Sequence, residues 1–438
     1  MKLFTVDIIG EAREKILKAC GHPVSPLVKT TTISLNDLTN PAPNPASSQD
    51  NKAGPANTAG MASWPGCVLA EDLFAGCDIP AFRRSTVDGY AVVAADTAAA
   101  GESIPVFLKQ IGSVSMGQCT NLAVHPGECA YVPTGGMIPD GADAMVMVEY
   151  AEAAGENIAV YEAVAPGTGV TEPGEDLKKG APLLTRGKIL RAQETGALAA
   201  AGITMLRVFA PLTLTLISTG DELVPPQQEP RPGEVRDINT HALKALAVRR
   251  GYMVLSTQVL PDNEERLETA IREAMAASDV VAISGGSSQG EKDLTAKIIG
   301  RIAKPGVFTH GLAVKPGKPT ILGWDDASKT LLAGLPGHPV SAMMVFEITL
   351  GWLIDTLFCR PLPFPVPARI SCNVPGSPGR TVLLPVALRN DGETYSAEPV
   401  FGKAGMIVTL TQADGYTVID LNKEGLKKDD PIMVHLFS

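Results

Sequence analysis

Residues 280–295 read V-V-A-I-S-G-G-S-S-Q-G-E-K-D-L-T: a short apolar run, a glycine-rich loop, and two acids that flank a lysine. The run at 280–283 has the length and branching of a buried parallel strand. The glycines of 284–290 let the backbone bend tightly with its N–H groups exposed. A helix is expected to open next, with Glu291 and Asp293 near its N-terminal end. Such a loop can bind an anion while the acids hold a divalent cation, which suits a phosphorylated ligand with magnesium; a simple tight turn is the alternative.

Repeated βα units surround this stretch. Apolar runs at 212–218 and 253–260 alternate with helical patterns at 240–250 and 264–277, and this alternation predicts a parallel sheet. Loops at the carboxyl ends of parallel strands share one crevice. We therefore expect the loops 218–222, 284–293, 315–319 and 335–341 to converge there.

Composition limits the classes of protein to consider. A chain of 438 residues suggests roughly two to four domains. The 43 glycines and 35 prolines favour several small β-rich units over long helices. A net charge of −10 argues against nucleic acid or an anionic membrane as the main partner. Seven cysteines without a C-x-x-C pair indicate reduced thiols rather than a zinc site or a disulfide framework.

Targeting signals are not evident in the sequence. The N-terminus meets acids within a few residues of Lys2 and lacks the apolar core of a signal peptide. The apolar stretch 340–358 contains Glu347 and Asp355, so we interpret it as a buried helix and not as a membrane span. A soluble cytoplasmic protein is expected.

The remaining segments differ in kind. Helical spacing predicts an amphipathic helix at 7–20 and a linking helix at 190–203, whereas 103–164 alternates apolar runs with turn signals and predicts a β-rich domain. Residues 26–63 are rich in Pro, Asn, Thr, Ser and Ala and predict a mobile insertion rather than a core element. After 361, six short runs, 405–410 among them, predict strands of a small closed or sandwiched β domain with a structural or dimer-supporting role.

Eight short motifs, taken together, are more specific than any one of them. In chain order they are S-T-V-D-G-Y-A (85–91), P-T-G (133–135), P-G-E-D (173–176), S-T-G-D-E-L (218–223), R-D-I-N (236–239), S-G-G-S-S-Q-G-E-K-D (284–293), K-P-G-K-P (315–319) and L-P-G-H-P-V-S (335–341). This set closely resembles the molybdopterin molybdenumtransferase family, which comprises the MoeA-type enzymes and the E domain of gephyrin. The likeness covers nearly the whole chain outside 26–63.

The resemblance implies a reaction and an architecture. Molybdate is inserted into the dithiolene of adenylylated molybdopterin with release of AMP, and Mg²⁺ is required. The implied fold is multidomain α/β plus β, with a parallel-sheet α/β domain of the molybdopterin adenylyltransferase type. Its expected parts are the α/β molybdopterin-binding domain (1–25 with 205–361), the low-complexity insertion (26–63), a linking domain (64–77 with 175–204), an inserted β-rich domain (78–174) and a C-terminal β-barrel (362–438). The family forms homodimers with an intersubunit active site, and other molybdenum cofactor biosynthesis proteins are further candidate partners.

Site residues follow from the matched motifs and from charge. By resemblance, the catalytic residues are Asp88, Thr134, Asp176, Glu222, Asp293 and Lys315. Carboxylates repel molybdate, so acidic residues are assigned to magnesium or to the orientation of lysines and water. The candidate magnesium ligands are Asp237, Asp293 and Glu222. The residues assigned to substrate and anion binding are Ser218, Gly285, Gly286, Ser288, Gly290, Lys318, Pro336, Pro339 and Ser341.

Two other functions remain open at this point. A single-domain adenylylating enzyme leaves the inserted and C-terminal β domains unexplained, whereas a catalytically silent scaffold that binds pterin or partner proteins fits the same fold. The chain departs from the family pattern at Ser287, Glu291 and His338, and at 309–311, a segment in which family members commonly have a basic residue. If that positive charge helps to hold molybdate, its loss can change the choice of oxyanion, so a tungstate-inserting paralogue is a further alternative. His338 is interpreted as a satisfied turn residue without a catalytic role.

Overall fold

The computed structural model describes residues 6–38, 67–285, 291–390, 392 and 394–437, with backbone only at 291–293. The chain forms two compact units. The first unit comprises the described parts of Met1–Glu71, Arg186–Arg191 and Met205–Ser438, and the second comprises Asp72–Thr185 and Ala192–Thr204.

A six-stranded sheet lies at the centre of the first unit. In spatial order its strands are Met253–Leu260, Thr213–Thr219, Val280–Ser284, Thr330–Leu335, Ile321–Asp325 and Pro305–His310. The first four are parallel, as predicted, whereas the last two pair antiparallel. The connection 326–329 joins Ile321–Asp325 to Thr330–Leu335 and is too short for a crossover, so these two strands must be antiparallel. All five residues of Val280–Ser284 are buried.

Helices cover both faces of this sheet. They are Ile9–Ala19, Asn239–Arg250, Glu264–Ala277, Glu291–Ile302, Pro339–Phe346 and Trp352–Leu357. The predicted helix at 264–277 is confirmed, and Asn263 caps it by accepting a hydrogen bond from the N–H of Arg266. The span Pro339–Leu357 is long and apolar enough to cross a membrane, but 83% of it is buried inside the protein. It is therefore the core helix that the sequence predicts, interrupted by a π turn at Glu347–Gly351.

A closed β-barrel follows, as the resemblance implied. Its strands are Val366–Ile370, Thr381–Asn390, Tyr395–Pro399, Gly415–Ile419 and Pro431–Leu436, each hydrogen-bonded to two others. Two short pairs extend it, Val374–Pro375 with Gly425–Leu426 and Val314–Lys315 with the start of the second barrel strand. The prediction of a strand at 405–410 is wrong, because Ile407–Leu410 is a single helical turn that buries only Leu410.

The expectation that 26–63 lies wholly outside the core is also wrong. Thr30–Ser34 is a strand paired antiparallel with Met205–Phe209, and a 3₁₀ turn follows at Leu35–Leu38. Leu27 and Ile33 are each only 1% exposed. Ile33 reaches the core because the paired strand directs its side chain inward. The average composition of the whole segment conceals such isolated apolar residues. Residues 39–63 of that prediction lie outside the described residues.

The second unit is β-rich, as the alternating pattern predicted. Its main sheet has the spatial order Ala144–Met147, Gly89–Val92, Glu128–Val132, Val106–Ser113, Asn157–Val160 and Ala151–Ala154. Two-stranded pairs join Arg84–Ser85 to Val170–Thr171 and Leu73–Phe74 to Pro182–Leu184. The helix Ala192–Ala200 falls within the predicted 190–203.

All seven cysteines are free thiols. Cys20 and Cys129 are fully buried, and burial raises the pKa of each thiol to about 12. Both therefore stay neutral and behave as small apolar core residues.

Candidate functional site

The carboxyl ends of the parallel strands form one edge, as expected. Ser218 is opposite Ser284 in the ladder, and Ser284 is opposite Leu335. Residues that follow these strand ends, among them Thr219, Gly285 and Gly337, line a cleft of about 380 Å³, a volume typical of small-molecule sites. The cleft is lined by Ser218, Thr219, Glu222, Leu223, Val235, Arg236, Asp237, Ile238, Asn239, Ser284, Gly285, Gly337, His338, Pro339 and Gly405.

The R-D-I-N motif closes one side of this cleft. Leu223–Val224 pairs in parallel with Val235–Arg236, and Glu222 and Asp237, which flank opposite ends of this pair, both line the cleft. The helix Asn239–Arg250 starts directly after it. Asp237 is 5% exposed, and its Oδ1 accepts a hydrogen bond from the N–H of Thr240 at 3.1 Å. Asp237 therefore both shapes the helix start and presents its carboxylate to the cleft.

The candidate magnesium ligands are only partly described. Glu222 and Asp237 line the cleft, but the side chain of Asp293 lies outside the described residues. Within the ranges that the structure describes, no group of three or more His, Cys, Asp or Glu side chains is placed to hold a metal ion. Two carboxylates together with water can still suit Mg²⁺, which usually keeps several water ligands.

Several predicted anion-binding residues are used inside the protein. Ser218 is 2% exposed, and its Oγ lies 2.8 Å from Thr240 Oγ1. Ser341 is buried in the helix Pro339–Phe346. Gly285 lines the cleft, and a Cβ there would lie 2.8 Å from Thr219 Oγ1, so a side chain at this position would force the Thr219 hydroxyl to move. Gly286, Ser288 and Gly290 lie outside the described residues, as does Ser287.

The two prolines of the P-G-H-P turn lie at different cavities, and the histidine is not buried. Pro339 lines the cleft, whereas Pro336 lines a cavity of about 30 Å³ on the other side of Gly285. His338 is exposed and lines the cleft, where a Cβ added at Gly405 would lie 3.3 Å from its Cδ2. The turn is therefore part of the site, and the imidazole is open to a ligand.

The expectation that the whole loop 315–319 converges with the other loops is wrong: Pro319 lines the 30 Å³ cavity with Gly285 and Pro336, but Lys315 lies at a second cleft of about 380 Å³. This cleft is bounded by the K-P-G-K-P turn and by the barrel, which contributes Lys403. Lys315 and Lys318 are both exposed. The start of the helix Pro339–Phe346 separates the two clefts, since Pro339 lines one and Val340 the other. The N–H of Val340 donates to Ala404 O at 3.1 Å and is not free for an anion.

Asp262 was not among the residues that the sequence singled out. It follows the strand Met253–Leu260 and lines the 30 Å³ cavity with Thr219 and Pro336. Its N–H donates to Asp221 Oδ1 at 3.0 Å. The signal was present as P-D-N directly after a strand end, at the same edge of the sheet as the other loops.

The second unit brings Asp88 and Thr134 together. The N–H of Thr134 donates to Asp88 Oδ1 at 2.7 Å, and both residues are exposed. Asp176 is also exposed, on the connection after Val170–Thr171, where its N–H donates to Ile79 O at 3.0 Å. Two loops distant in sequence thus present polar groups from this unit.

Gly89 is expected to tolerate no side chain. A Cβ there would lie 2.0 Å from Val146 O in the neighbouring strand, so Gly89→Ala must push the strands apart. We expect a loss of about 3 kcal/mol, the upper end for overpacking, with faster amide exchange at 89–92 and 144–147 in hydrogen-exchange mass spectrometry. Gly101→Ala is the matched control because nothing lies within 4 Å of its added Cβ. Equal protection in both variants would contradict the close approach.

Residues 309–311, where the family commonly has a positive charge, are tied into the protein. Thr309 is 1% exposed and its hydroxyl donates to Asp7 Oδ2 at 2.7 Å. Lys15 forms an ion pair with the same carboxylate at 2.7 Å. Thr309 therefore anchors the first helix and does not face a ligand.

Family models match almost the whole chain. The model for the MoeA N-terminal region (domain I and II) matches 11–202, that for the "Probable molybdopterin binding domain" matches 215–355, and that for the MoeA C-terminal region (domain IV) matches 367–437. The chain belongs to the MoeA family. The resemblance drawn from the eight motifs is confirmed.

Individual MoeA relatives agree with this assignment. Molybdopterin molybdenumtransferase 2 of Mycobacterium tuberculosis is 30% identical over 74% of this chain and 77% of its own length. The molybdopterin molybdenumtransferase of Bacillus subtilis is 28% identical, covering 84% and 86%. The crystal structure of a molybdopterin biosynthesis MoeA protein from Pyrococcus horikoshii is 33% identical with a TM-score of 0.77, covering 99% of this chain and 100% of that one. The predicted fold class is confirmed.

Proposed function

We propose that this protein is a molybdopterin molybdenumtransferase, which inserts molybdate into adenylylated molybdopterin and releases AMP. The observation that carries the proposal is the cleft where the S-T-G-D-E-L, R-D-I-N and P-G-H-P loops meet, in a chain that the MoeA models match over 11–202, 215–355 and 367–437. The names of the curated relatives support the same reaction.

The charge of the ligands explains the arrangement of side chains. Molybdate and the substrate phosphates are anions, and the exposed Lys315 and Lys318 offset that charge. Hydroxyl and backbone N–H groups of the cleft orient oxyanion oxygens without adding charge. Asp88, Thr134 and Asp176 are assigned to the reaction by their motifs alone. Cleavage of the phosphoanhydride then depends on positioning and on stabilising the charge that develops at phosphorus.

Magnesium is the proposed cofactor. Glu222 and Asp237 fit it by the chemistry of their oxygen donors and because both line the cleft, and Asp293 is the third proposed ligand. When bound, the ion supplies positive charge to oxygens of the phosphate groups. Within the described part of the chain, Asp237 keeps Oδ2 for this purpose, because the N–H of Thr240 donates to Oδ1.

We further propose a cytoplasmic homodimer in which one subunit contributes the cleft of its first unit and the other contributes Asp88 and Thr134. The division into the five predicted parts, from 1–25 with 205–361 to 362–438, stays a prediction as well. Mixing Asp88→Asn with Lys315→Ala protein tests the dimer. Activity should return in the mixture if each dimer rebuilds one intact site, and no recovery after subunit exchange contradicts a shared site.

The reaction itself is tested with purified protein, adenylylated molybdopterin, Mg²⁺ and molybdate. AMP release that depends on both molybdate and Mg²⁺ is expected. Folded protein that binds the pterin but releases no AMP points instead to a scaffold. Replacing molybdate by tungstate in a parallel reaction identifies a tungstate-inserting paralogue if AMP appears only there.

A further inference from the structure

Asn239 connects two of the loops that surround the cleft. Its Nδ2 donates to Ser284 Oγ and to Gly337 O, each at 2.7 Å. A side-chain amide has two N–H donors, so both are used. Ser284 ends the central strand before the glycine-rich loop, and Gly337 lies in the P-G-H-P turn after the neighbouring strand. One side chain thus sets the distance between them.

Ser284 extends this hydrogen-bond network from Asn239 to the carbonyl of Pro336. Ser284 Oγ accepts from Asn239 and in turn donates to Pro336 O at 3.4 Å. Ser284 is 3% exposed, so water does not compete strongly for these bonds. The carbonyls of Pro336 and Gly337 are therefore both held on the side of Asn239.

Holding these carbonyls also aims the N–H groups of the same peptides. In a trans peptide the C=O and N–H point in opposite directions, so the N–H groups of Gly337 and His338 point away from Asn239. Both residues line the cleft. Among the residues that the structure describes, none accepts a hydrogen bond from either N–H.

We propose that Asn239 is a positioning residue for phosphate recognition: it fixes the spacing of the two loops and turns the N–H groups of Gly337 and His338 toward the anionic ligand. It does not itself need to touch the ligand. Donors that are already oriented save the cost of ordering a loop when the ligand binds. The inference rests on the proposed function, whose substrate carries an adenylyl phosphate.

A merely structural role makes a different prediction. Asn239 is the first residue of the helix Asn239–Arg250, so its loss can lower stability without changing ligand affinity. Ligand affinity, KM and coupling to Ser284 are therefore the informative measurements. Asn373→Ala is the matched control, because its Oδ1 also makes one bond to a backbone group, the N–H of Lys428 at 2.7 Å, in the barrel.

The test uses the full-length protein as wild type, Asn239→Ala, Ser284→Ala, the double variant and Asn373→Ala. Titration calorimetry measures binding of AMP, and AMP release from adenylylated molybdopterin gives KM and kcat. We expect Asn239→Ala to raise both the Kd for AMP and KM about tenfold, the equivalent of about 1.4 kcal/mol, with kcat changed far less. Because Ser284 acts through the same bonds, the double variant should be no weaker than Asn239→Ala. Asn373→Ala should bind as the wild type does.

The outcomes separate this inference from the proposed function. Wild type that binds AMP but does not release it from the adenylylated pterin removes the proposed function, and the positioning role is then decided by the AMP affinities alone. Unchanged Kd and KM in Asn239→Ala, with only a lower melting temperature, overturn the positioning role. Strictly additive effects of the two substitutions, or wild type that fails to bind AMP, overturn it too. If Asn239→Ala does not fold, Ser284→Ala decides on the same criteria.

Discussion

Replacing Lys315 by alanine is expected to slow AMP release by about 10²–10³-fold. Lys315 is exposed at the rim of the second cleft, where the K-P-G-K-P turn meets the barrel. The proposed reaction gathers several negative charges, and an oriented cation that stabilises charge developing in the transition state contributes to kcat. Steady-state AMP release with molybdate and Mg²⁺ at saturation measures the loss.

Two further variants sharpen this prediction. Lys315→Arg retains the positive charge and should recover part of the activity, since position as well as charge matters. Lys297→Ala is the surface control: its side chain is 63% exposed and, among the residues whose side chains are described, forms an ion pair with Glu264 alone, at 3.4 Å. Equal rates for Lys315→Ala and Lys297→Ala would remove Lys315 from the catalytic machinery.

Replacing Arg250 by methionine is expected to lower the free energy of unfolding by about 3–5 kcal/mol. The Arg250 guanidinium forms ion pairs with Glu347 and, at 3.3 Å, with Asp355. The carboxylates are 7% and 6% exposed. Without Arg250, Glu347 keeps no described ion-pair partner and Asp355 keeps only Arg360, at 3.6 Å. Unpaired buried charge is strongly destabilising, and urea unfolding followed by tryptophan fluorescence measures the effect.

Neutralising the two carboxylates that pair with Arg250 should restore stability to Arg250→Met. Arg250→Met with Glu347→Gln and Asp355→Asn removes the two carboxylate charges along with the arginine and should recover much of the loss. Arg272→Met is the matched surface control, since Arg272 pairs with Glu268 one helical turn away and is 54% exposed; it should cost less than about 1 kcal/mol. A triple variant no more stable than Arg250→Met would show that packing and not charge sets the cost.

The interrupted core helix, which carries Glu347 and Asp355, shows why the ion-pair cluster with Arg250 was not predictable from the sequence. Apolar residues at 340–358 predicted one continuous helix, but the π turn Glu347–Gly351 releases carbonyls that other elements satisfy. Arg13 Nε donates to Ile348 O at 3.0 Å, and the Tyr252 hydroxyl donates to Leu350 O at 2.7 Å. Both donors come from elements distant in sequence, so local periodicity carries no trace of them.

Some of the predicted binding residues could be placed at the cleft from the sequence, and others could not. Gly285, Glu222 and Asp237 could be placed at the cleft from the sequence, because each follows or flanks a strand end on one edge of a parallel sheet. Ser218 could not be distinguished from an open ligand donor, since its partner Thr240 belongs to the next element. Asn239 and Asp262 were overlooked because an amide in a helix start and an acid in a turn have many structural uses.

Sequence alone determined the family, the central parallel strands, the barrel and the loops that converge on one edge of the sheet. These features depend on short-range patterns: apolar runs of strand length, helical spacing and glycines or prolines at turns. Tertiary structure alone decided that Thr30–Ser34 joins the core, that Ile321–Asp325 runs antiparallel to both of its neighbours in the sheet, and that Lys315 faces the barrel at a second cleft. It also decided which polar groups are used inside the protein, because the partner of a buried donor or charge is chosen by contacts between distant segments.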